Sequence, residues 1–405
     1  MKWGFLLAKK SAKQQFVRIT NQNLIIDTIR QRESATRSEL SKLLNLSVPS
    51  VCTNVDQLVA LGIVRETEDA SSGVGRKASR LRLNDGFGYI IAVDLSNPCV
   101  NVAVANLKPE IVQELKFDIE QYELGQLMEL LTGKIEELLA TSGISQEQLL
   151  MISVSVPGQV DGESGLVKCG SYLESLGTVN FREPLSERFL TKVLLQKDIN
   201  AAIIGEMSFG SAQGCSNAVF LSADVGLGLG IVLDGRLYPG SFHASGEIAG
   251  YLVGTGDAAP VRLQDQVSIG ALVRDVRAEL ANGAASSLQQ ISTSKPAGFN
   301  DIMAAVHAGD ELAVRQVKRR AQMLAAVVVN LLQLLDLDTI VLGGGFVSLG
   351  PAYTDTLKEE VSALMPSTKA AIVHTSLKTK AVLIGGVAIG LETIFTELLE
   401  EAESN

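Results

Sequence analysis

Residues 36–62 leave the chain little freedom in how its N-terminal part can fold. Thr36-Arg37-Ser38-Glu39 is a capping box: the Thr36 hydroxyl accepts an early helix N–H while Glu39 reaches back to the start of the helix. The helix it opens runs through Leu44, with Leu40, Leu43 and Leu44 read as facing inward. The turn Asn45-Leu46-Ser47 follows, Ser47 being a good N-cap for another helix. Pro49 falls in that helix's first turn, where its missing N–H costs little. Upstream, Asn23–Arg32 reads as a helix with Leu24, Ile25, Thr28 and Ile29 on one side.

The helix after Ser47 is the informative one. At the helical period, Val48, Val51, Val55, Leu58 and Val59 fall on one arc, leaving Ser50, Thr53, Asn54 and Gln57 on the opposite one. That outer face is short, polar and uncharged, which suits hydrogen bonds to base edges in a major groove. Gly62 ends the helix. Two strands, Ile63–Glu66 and Ser79–Leu83, then flank the Gly-rich turn Ser71–Gly75 and its cations Arg76, Lys77 and Arg80. Such a wing places cations at phosphates or in a minor groove. The combination predicts a winged helix-turn-helix over residues 1–84, with Arg37, Ser50, Thr53, Asn54, Gln57, Arg76, Lys77 and Arg80 as the DNA-facing set. A helical dimerisation module with a hairpin is the blander alternative.

Charge points the same way. The chain of 405 residues carries a net −10, yet residues 1–84 hold 14 Lys/Arg against 7 Asp/Glu. An acidic protein should be repelled by polyphosphate, whereas this segment would be drawn to it. The length allows two or three domains. The four cysteines, Cys52, Cys99, Cys169 and Cys215, have no metal-ligand or redox spacing and are expected to be buried free thiols. No apolar run is read as long enough for a membrane span, and MKWGFLLAKK is too brief for a signal peptide, so a cytoplasmic chain is expected.

From Tyr89 the texture changes to α/β. Strands are expected at Tyr89–Asp94, Val100–Asn106, Leu149–Val156, Val193–Gln196, Ala218–Ala223, Gly230–Leu233 and Thr339–Leu342. Helices are expected at Leu124–Thr141, Leu185–Phe189, Asn200–Ser211 and Asp310–Leu335. Three strands followed by helix-strand alternation, appearing twice, imply two related lobes with a cleft over residues 85–405.

Several motifs in this order resemble the ROK family (repressors, open reading frames and sugar kinases), in the winged-helix branch of xylose, N-acetylglucosamine and Mlc-type repressors. They are Gly75-Arg76-Lys77, Val156-Pro157-Gly158-Gln159-Val160-Asp161 and Lys197-Asp198-Ile199-Asn200-Ala201-Ala202. Gly226-Leu227-Gly228-Leu229-Gly230, Ser245-Gly246-Glu247-Ile248, Leu335–Gly344 and Leu383-Ile384-Gly385-Gly386 complete the set. The resemblance implies a two-lobed, actin-like, sugar-kinase-like domain used as a sugar sensor, onto whose first lobe the chain's C-terminal helix is free to pack back.

The resemblance also makes Asp198 the counterpart of the family's general base, but the phosphate loops depart from the kinase pattern. Where kinases of the family carry Asp-x-Gly-Gly-Thr, this chain has Asp94-Leu95-Ser96-Asn97-Pro98, and Pro98 has no N–H to offer a phosphate. The Gly-Thr of the second loop is Asp224-Val225, whose carboxylate would repel phosphate. No ATP-dependent catalysis is therefore expected. The family's zinc-ligating histidine and its cysteine motif are missing around Gly246–Gly250, so no zinc or other cofactor is expected. Lys197, Asp198, His243 and Glu247 are the candidate ligand contacts. Lys197 has two readings, a simple pair with Asp198 or a contact to an acidic or phosphorylated ligand. His243 is either a ligand contact or a satisfied loop histidine. The expected partners are an operator duplex, a small sugar effector and further copies of the chain in a homodimer or homotetramer, with no membrane. The expected function is a sugar-responsive repressor of carbohydrate-utilisation genes. Two alternatives are a sugar kinase carrying a DNA-binding domain and a regulator that answers to another protein.

Overall fold

The computed structural model describes residues 2–67, 79–119, 123–254, 259–289 and 296–404. The N-terminal unit is α1 (Lys2–Arg32), α2 (Arg37–Leu44), α3 (Val48–Ala60) and the hairpin β1 (Val64–Thr67)–β2 (Arg80–Leu83). The Thr36/Glu39 box makes both of its bonds, Glu39 N–H to Thr36 Oγ1 at 3.2 Å and Thr36 N–H to Glu39 Oε2 at 2.7 Å. Ser47 caps α3 through the Ser50 N–H. Ala35 pairs with Leu81, adding a bridge to the wing. The first helix is far longer than the Asn23–Arg32 segment read from the sequence.

The rest of the chain forms two lobes with the same sheet topology. In the first, β3 (Tyr89–Asp94), β4 (Cys99–Asn106) and β5 (Ile111–Asp118) form an antiparallel meander. After α4 (Leu124–Ser142), β6 (Leu149–Val156) runs parallel to β3. A small sheet of β7 (Gly158–Val160), β8 (Leu166–Cys169) and β9 (Thr178–Asn180) follows, then α5 (Arg182–Phe189) and β10 (Lys192–Lys197), parallel to β6. Helix α6 (Asp198–Phe209) crosses to the second lobe. There β11 (Ala218–Ala223), β12 (Leu227–Leu233) and β13 (Arg236–Leu237) repeat the meander. A short hairpin, β14 (Leu252–Val253) and β15 (Val261–Arg262), precedes the helices of this lobe. The strands β16 (Thr339–Gly343) and β17 (Ala371–His374) then extend the sheet in parallel. The strand orders β10-β6-β3-β4-β5 and β13-β12-β11-β16-β17 are the same order read from opposite edges of the sheet.

The segment Gly226–Gly230, read as a loop between strands, is largely strand β12 itself. Its alternating glycines have a packing reason: a Cβ on Gly230 would lie 2.4 Å from the Ile199 carbonyl, so α6 rests against this strand at backbone distance.

The C-terminal helix Ala381–Ser404 corrects another expectation. Lys378–Ala402 is long and apolar enough, by length and composition, to cross a membrane, yet more than half of its apolar window is buried in the protein. Leu383, Val387, Leu391, Phe395 and Leu399 share one core with Ile90, Ala103 and Ala105 of the first lobe. The same core contains Ile25, Ile26, Ile29, Val51, Leu58 and Leu81 of the N-terminal unit. The two sequence-defined domains are thus joined by continuous apolar packing. Of the cysteines, Cys169 is buried, Cys52 and Cys215 are half-buried, and Cys99 is exposed, contrary to the expectation of burial for all.

Candidate functional site

The parallel strands β3, β6 and β10 end together, and their registers set Asp94 beside Ser155 and Lys197 beside Val156. Ligands of open α/β sheets bind at such carboxyl ends. Asp94 is buried and accepts the Ser96 N–H at 2.9 Å. Burial pushes its carboxyl up from the ordinary value. Asp198 opens α6 and accepts the Ile199 N–H at 2.7 Å. Desolvation, aided by the Asp94 and Glu247 charges, raises its carboxyl to about 7. Near neutrality this group is both acid and carboxylate, able to donate or accept a hydrogen bond.

Lys197 does not pair with Asp198, and the simpler reading of its role is corrected. Only 8% exposed, it extends its Nζ to Glu247 Oε1 and to the Ser245 carbonyl at 3.3 Å. Gly246 makes this contact available. With φ +76 and no room for a Cβ, which would lie 1.7 Å from the Leu229 carbonyl, it docks the Glu247 segment directly on β12. His243 lines a cavity of about 180 Å³ together with Lys197, Asn200, Val160 and Gly162. The Asn200 Oδ1 is buried with no hydrogen-bond partner among the described residues. The sequence reading missed Tyr172, whose hydroxyl donates to the Leu95 carbonyl at 2.9 Å. Burial and the charges of Asp94 and Asp198 hold that phenol well above its usual range. Lys197 and His243 line this cavity while Asp94, Asp198 and Glu247 do not; Glu247 is connected to it through its pair with Lys197.

Both turns expected to have lost their phosphate contacts are capped by their own aspartates. In the first lobe the cap is the Asp94–Ser96 bond. In the second, Asp224 Oδ1 accepts the Val225 N–H at 2.8 Å and Oδ2 accepts the Gly345 N–H, also at 2.8 Å. Among the described residues no group of three or more His, Cys, Asp or Glu side chains is placed to hold a metal ion.

The DNA-facing set is rearranged. Val51, Asn54, Val55 and Leu58 form the buried face of α3. Asn54 lies about 60° around the helix from Val51, is 4% exposed and donates to the Ser50 carbonyl at 2.8 Å. It is therefore not on the outer face, whereas Val48, expected inward, is 54% exposed. The reason is α1, which packs against this side of α3 and sends Gln22 Nε2 to Gln57 Oε1 at 2.8 Å. Likewise Leu43, expected inward, is exposed, and Leu24 is exposed although Ile25 and Ile29, read on the same side of its helix, are buried. Thr53 is exposed, and Ser50 and Gln57 are half-buried. Arg37 is held by Asp56 and Glu66 at 2.7 Å each, so its charge is already matched. Arg80 donates to Ser34 Oγ at 3.0 Å at the base of the wing. Gly75, Arg76 and Lys77 lie outside the described residues.

The ROK family model matches residues 90–392, three quarters of the sequence. The chain belongs to the ROK family. A xylose repressor of Caldicellulosiruptor bescii is 24% identical over 384 residues, covering 91% of this chain and 94% of that protein. The Escherichia coli K12 DNA-binding transcriptional dual regulator NagC is 25% identical over 57% of each. Among solved structures, a ROK family transcriptional regulator, a homologue of the E. coli MLC protein, superposes with a TM-score of 0.79 at 22% identity. That match covers 96% of this chain and 100% of the other. A ROK glucokinase from Streptomyces griseus, solved with glucose and AMPPNP, superposes with 0.62 at 21% identity, covering 75% of this chain and 99% of its own. The shared fold is thus the two-lobed sugar-kinase fold, with the winged helix matched in the regulator.

Proposed function

We propose that this ROK protein is a sugar-responsive DNA-binding repressor, its kinase-like domain serving as the sensor. The observation that carries this reading is the capped helix-turn-helix built onto the same apolar core as the effector lobe. The names of the relatives, xylose repressor and DNA-binding transcriptional regulator, support the same class. Asp198 and Glu247 would take the hydroxyls of a small sugar, with Lys197 orienting Glu247. A homodimer or homotetramer would present paired recognition helices to an operator, as helix-turn-helix geometry requires.

The sensor is proposed to work without ATP, zinc or any other cofactor. A phosphate approaching Gly345 N–H would have to displace a carboxylate already bonded there, and Pro98 offers no N–H in the other turn. The kinase alternative predicts sugar-dependent ADP release at ordinary enzyme rates, measured with a panel of hexoses, pentoses and amino sugars. The repressor reading expects none.

Binding of duplexes selected from a random pool tests the DNA half. Thr53→Ala should cost about 1–3 kcal/mol of preference for the selected duplex over random DNA. Neutralising Arg76 and Lys77 should weaken binding to all duplexes and flatten its salt dependence. Asn54→Ala, by contrast, should lower stability with little change in specificity. If Thr53→Ala and the Arg76/Lys77 variant both leave affinity and salt slope unchanged, the DNA-facing surface is elsewhere.

A further inference from the structure

Helix α6 begins in the effector site and ends against the DNA-binding unit. Asp198 is its first residue and Phe209 its last, about 17 Å apart at 1.5 Å per residue. The Arg30 guanidinium of α1 lies over the Phe209 ring, 5.8 Å from its centre. Arg30 is otherwise held by Asp27 of the same helix, and its Nε is buried with no hydrogen-bond partner among the described residues. The Glu392 carboxyl of the C-terminal helix faces the same pair: partial burial and the Asp27 charge push it up, while Arg30 pulls it down. The contact is thus a cation shared between a ring and two carboxylates, held by orientation more than by tight packing.

The shaft between the two ends has little slack. A Cβ on Gly385 would lie 1.7 Å from the Ala201 carbonyl, and one on Gly205 would lie 2.5 Å from the Ala381 carbonyl, so α6 and the C-terminal helix meet backbone to backbone. The buried Glu206 carboxylate ties the far end of α6 to the second lobe. It accepts the Ser211 N–H at 2.6 Å, the Leu377 N–H at 3.2 Å and the Thr375 hydroxyl. A shift of the lobes about the ligand cannot be absorbed inside this pair of helices and must appear where the pair meets α1.

We infer that α6 is the transmission element of the protein, and that the Phe209–Arg30–Asp27 joint passes the state of the effector site to the winged helix. This rests on the sugar-responsive repressor reading for its biological meaning, but not for its test. The test uses hydrogen exchange on the full chain without ligand, comparing the wild type with Asp198→Asn in three backgrounds: unaltered, Phe209→Leu and Arg30→Met. Asp198→Asn alters charge at the start of α6 and should change exchange of the amides in residues 23–32 by about threefold or more. In the Phe209→Leu and Arg30→Met backgrounds that change should largely vanish, while exchange within β3 and β6 stays as in the wild type. Equal changes in all backgrounds, or no change in α1 at all, would overturn the inference.

A second arm uses D-xylose and N-acetyl-D-glucosamine as probes of duplex affinity. Whichever sugar alters wild-type affinity, by about fivefold or more if ordinary coupling holds, should alter it far less in Phe209→Leu at unchanged sugar affinity. Full retention of the sugar effect in that variant also overturns the joint. Failure of any duplex to bind would sink the repressor reading and leave the exchange result standing by itself.

Discussion

The two lobes present equivalent hairpins, β3–β4 and β11–β12, and each has an aspartate at its turn that bonds to the backbone beyond it. Their surroundings differ. Asp94 is buried beside Asp198 and is pushed toward its neutral form. Asp224 is half-exposed and reaches across to the Gly345 N–H of the loop after β16. The packing beneath the hairpins differs too. The first lobe sets Ala103 and Ala105 into the core shared with the C-terminal helix, whereas the second spaces glycines along β12 so that α6 can lie against it. A duplicated architecture has thus been turned to two ends: one hairpin borders the proposed ligand site, the other forms the bed of the helix that leaves it.

The sharpest way to break this comparison is steric. Gly230→Val must push into the Ile199 carbonyl and should cost more than about 3 kcal/mol, whereas Ala105→Val, an ordinary overpacking, should cost about 1–3 kcal/mol. Thermal or urea unfolding measures both, and similar losses would mean that β12 can yield as easily as β4. The aspartates should separate next. Asp224→Asn weakens a charge-assisted bond to the Gly345 N–H and should cost about 1–2 kcal/mol. Asp94→Asn removes a carboxylate that burial already disfavours and should be close to neutral at pH 8.

The last test is a pH dependence at Asp198. Its folded carboxyl keeps a proton up to about 7, against an ordinary value of 3.8. The folded state therefore holds the extra proton between those values, and stability falls as pH rises through that window. Asp198→Asn removes the titration, so its melting temperature relative to wild type should climb from pH 4 to pH 7 and then level off. A constant difference across that range would mean that the carboxyl titrates normally and that the cleft is wetter than its geometry implies.

Much of the fold was legible because its signals are local. The capping box, the Ser47 cap and the strands Tyr89–Asp94, Leu149–Val156 and Ala218–Ala223 depend on neighbours a few residues away, and each was found within a residue or two of its place. The helix faces were less legible. Reading α3 by polarity placed Asn54 outside, but α1 covers that side and its Gln22 brings a polar partner to the interface. Glycine-rich Gly226–Gly230 looked like a loop because backbone freedom and close helix packing call for the same residue.

The sequence by itself determined that a basic, capped helix-turn-helix precedes two related α/β lobes. Local hydrogen bonding and side-chain period are enough to fix those features. Only the tertiary structure decided that Lys197 turns to Glu247, some 50 residues away, rather than to the adjacent Asp198. It alone set Arg30 over Phe209 and laid the C-terminal helix between the lobe and the winged helix. Such contacts join segments far apart in the chain, and which of several suitable partners a charge or ring meets is settled only when the backbones that carry them are packed.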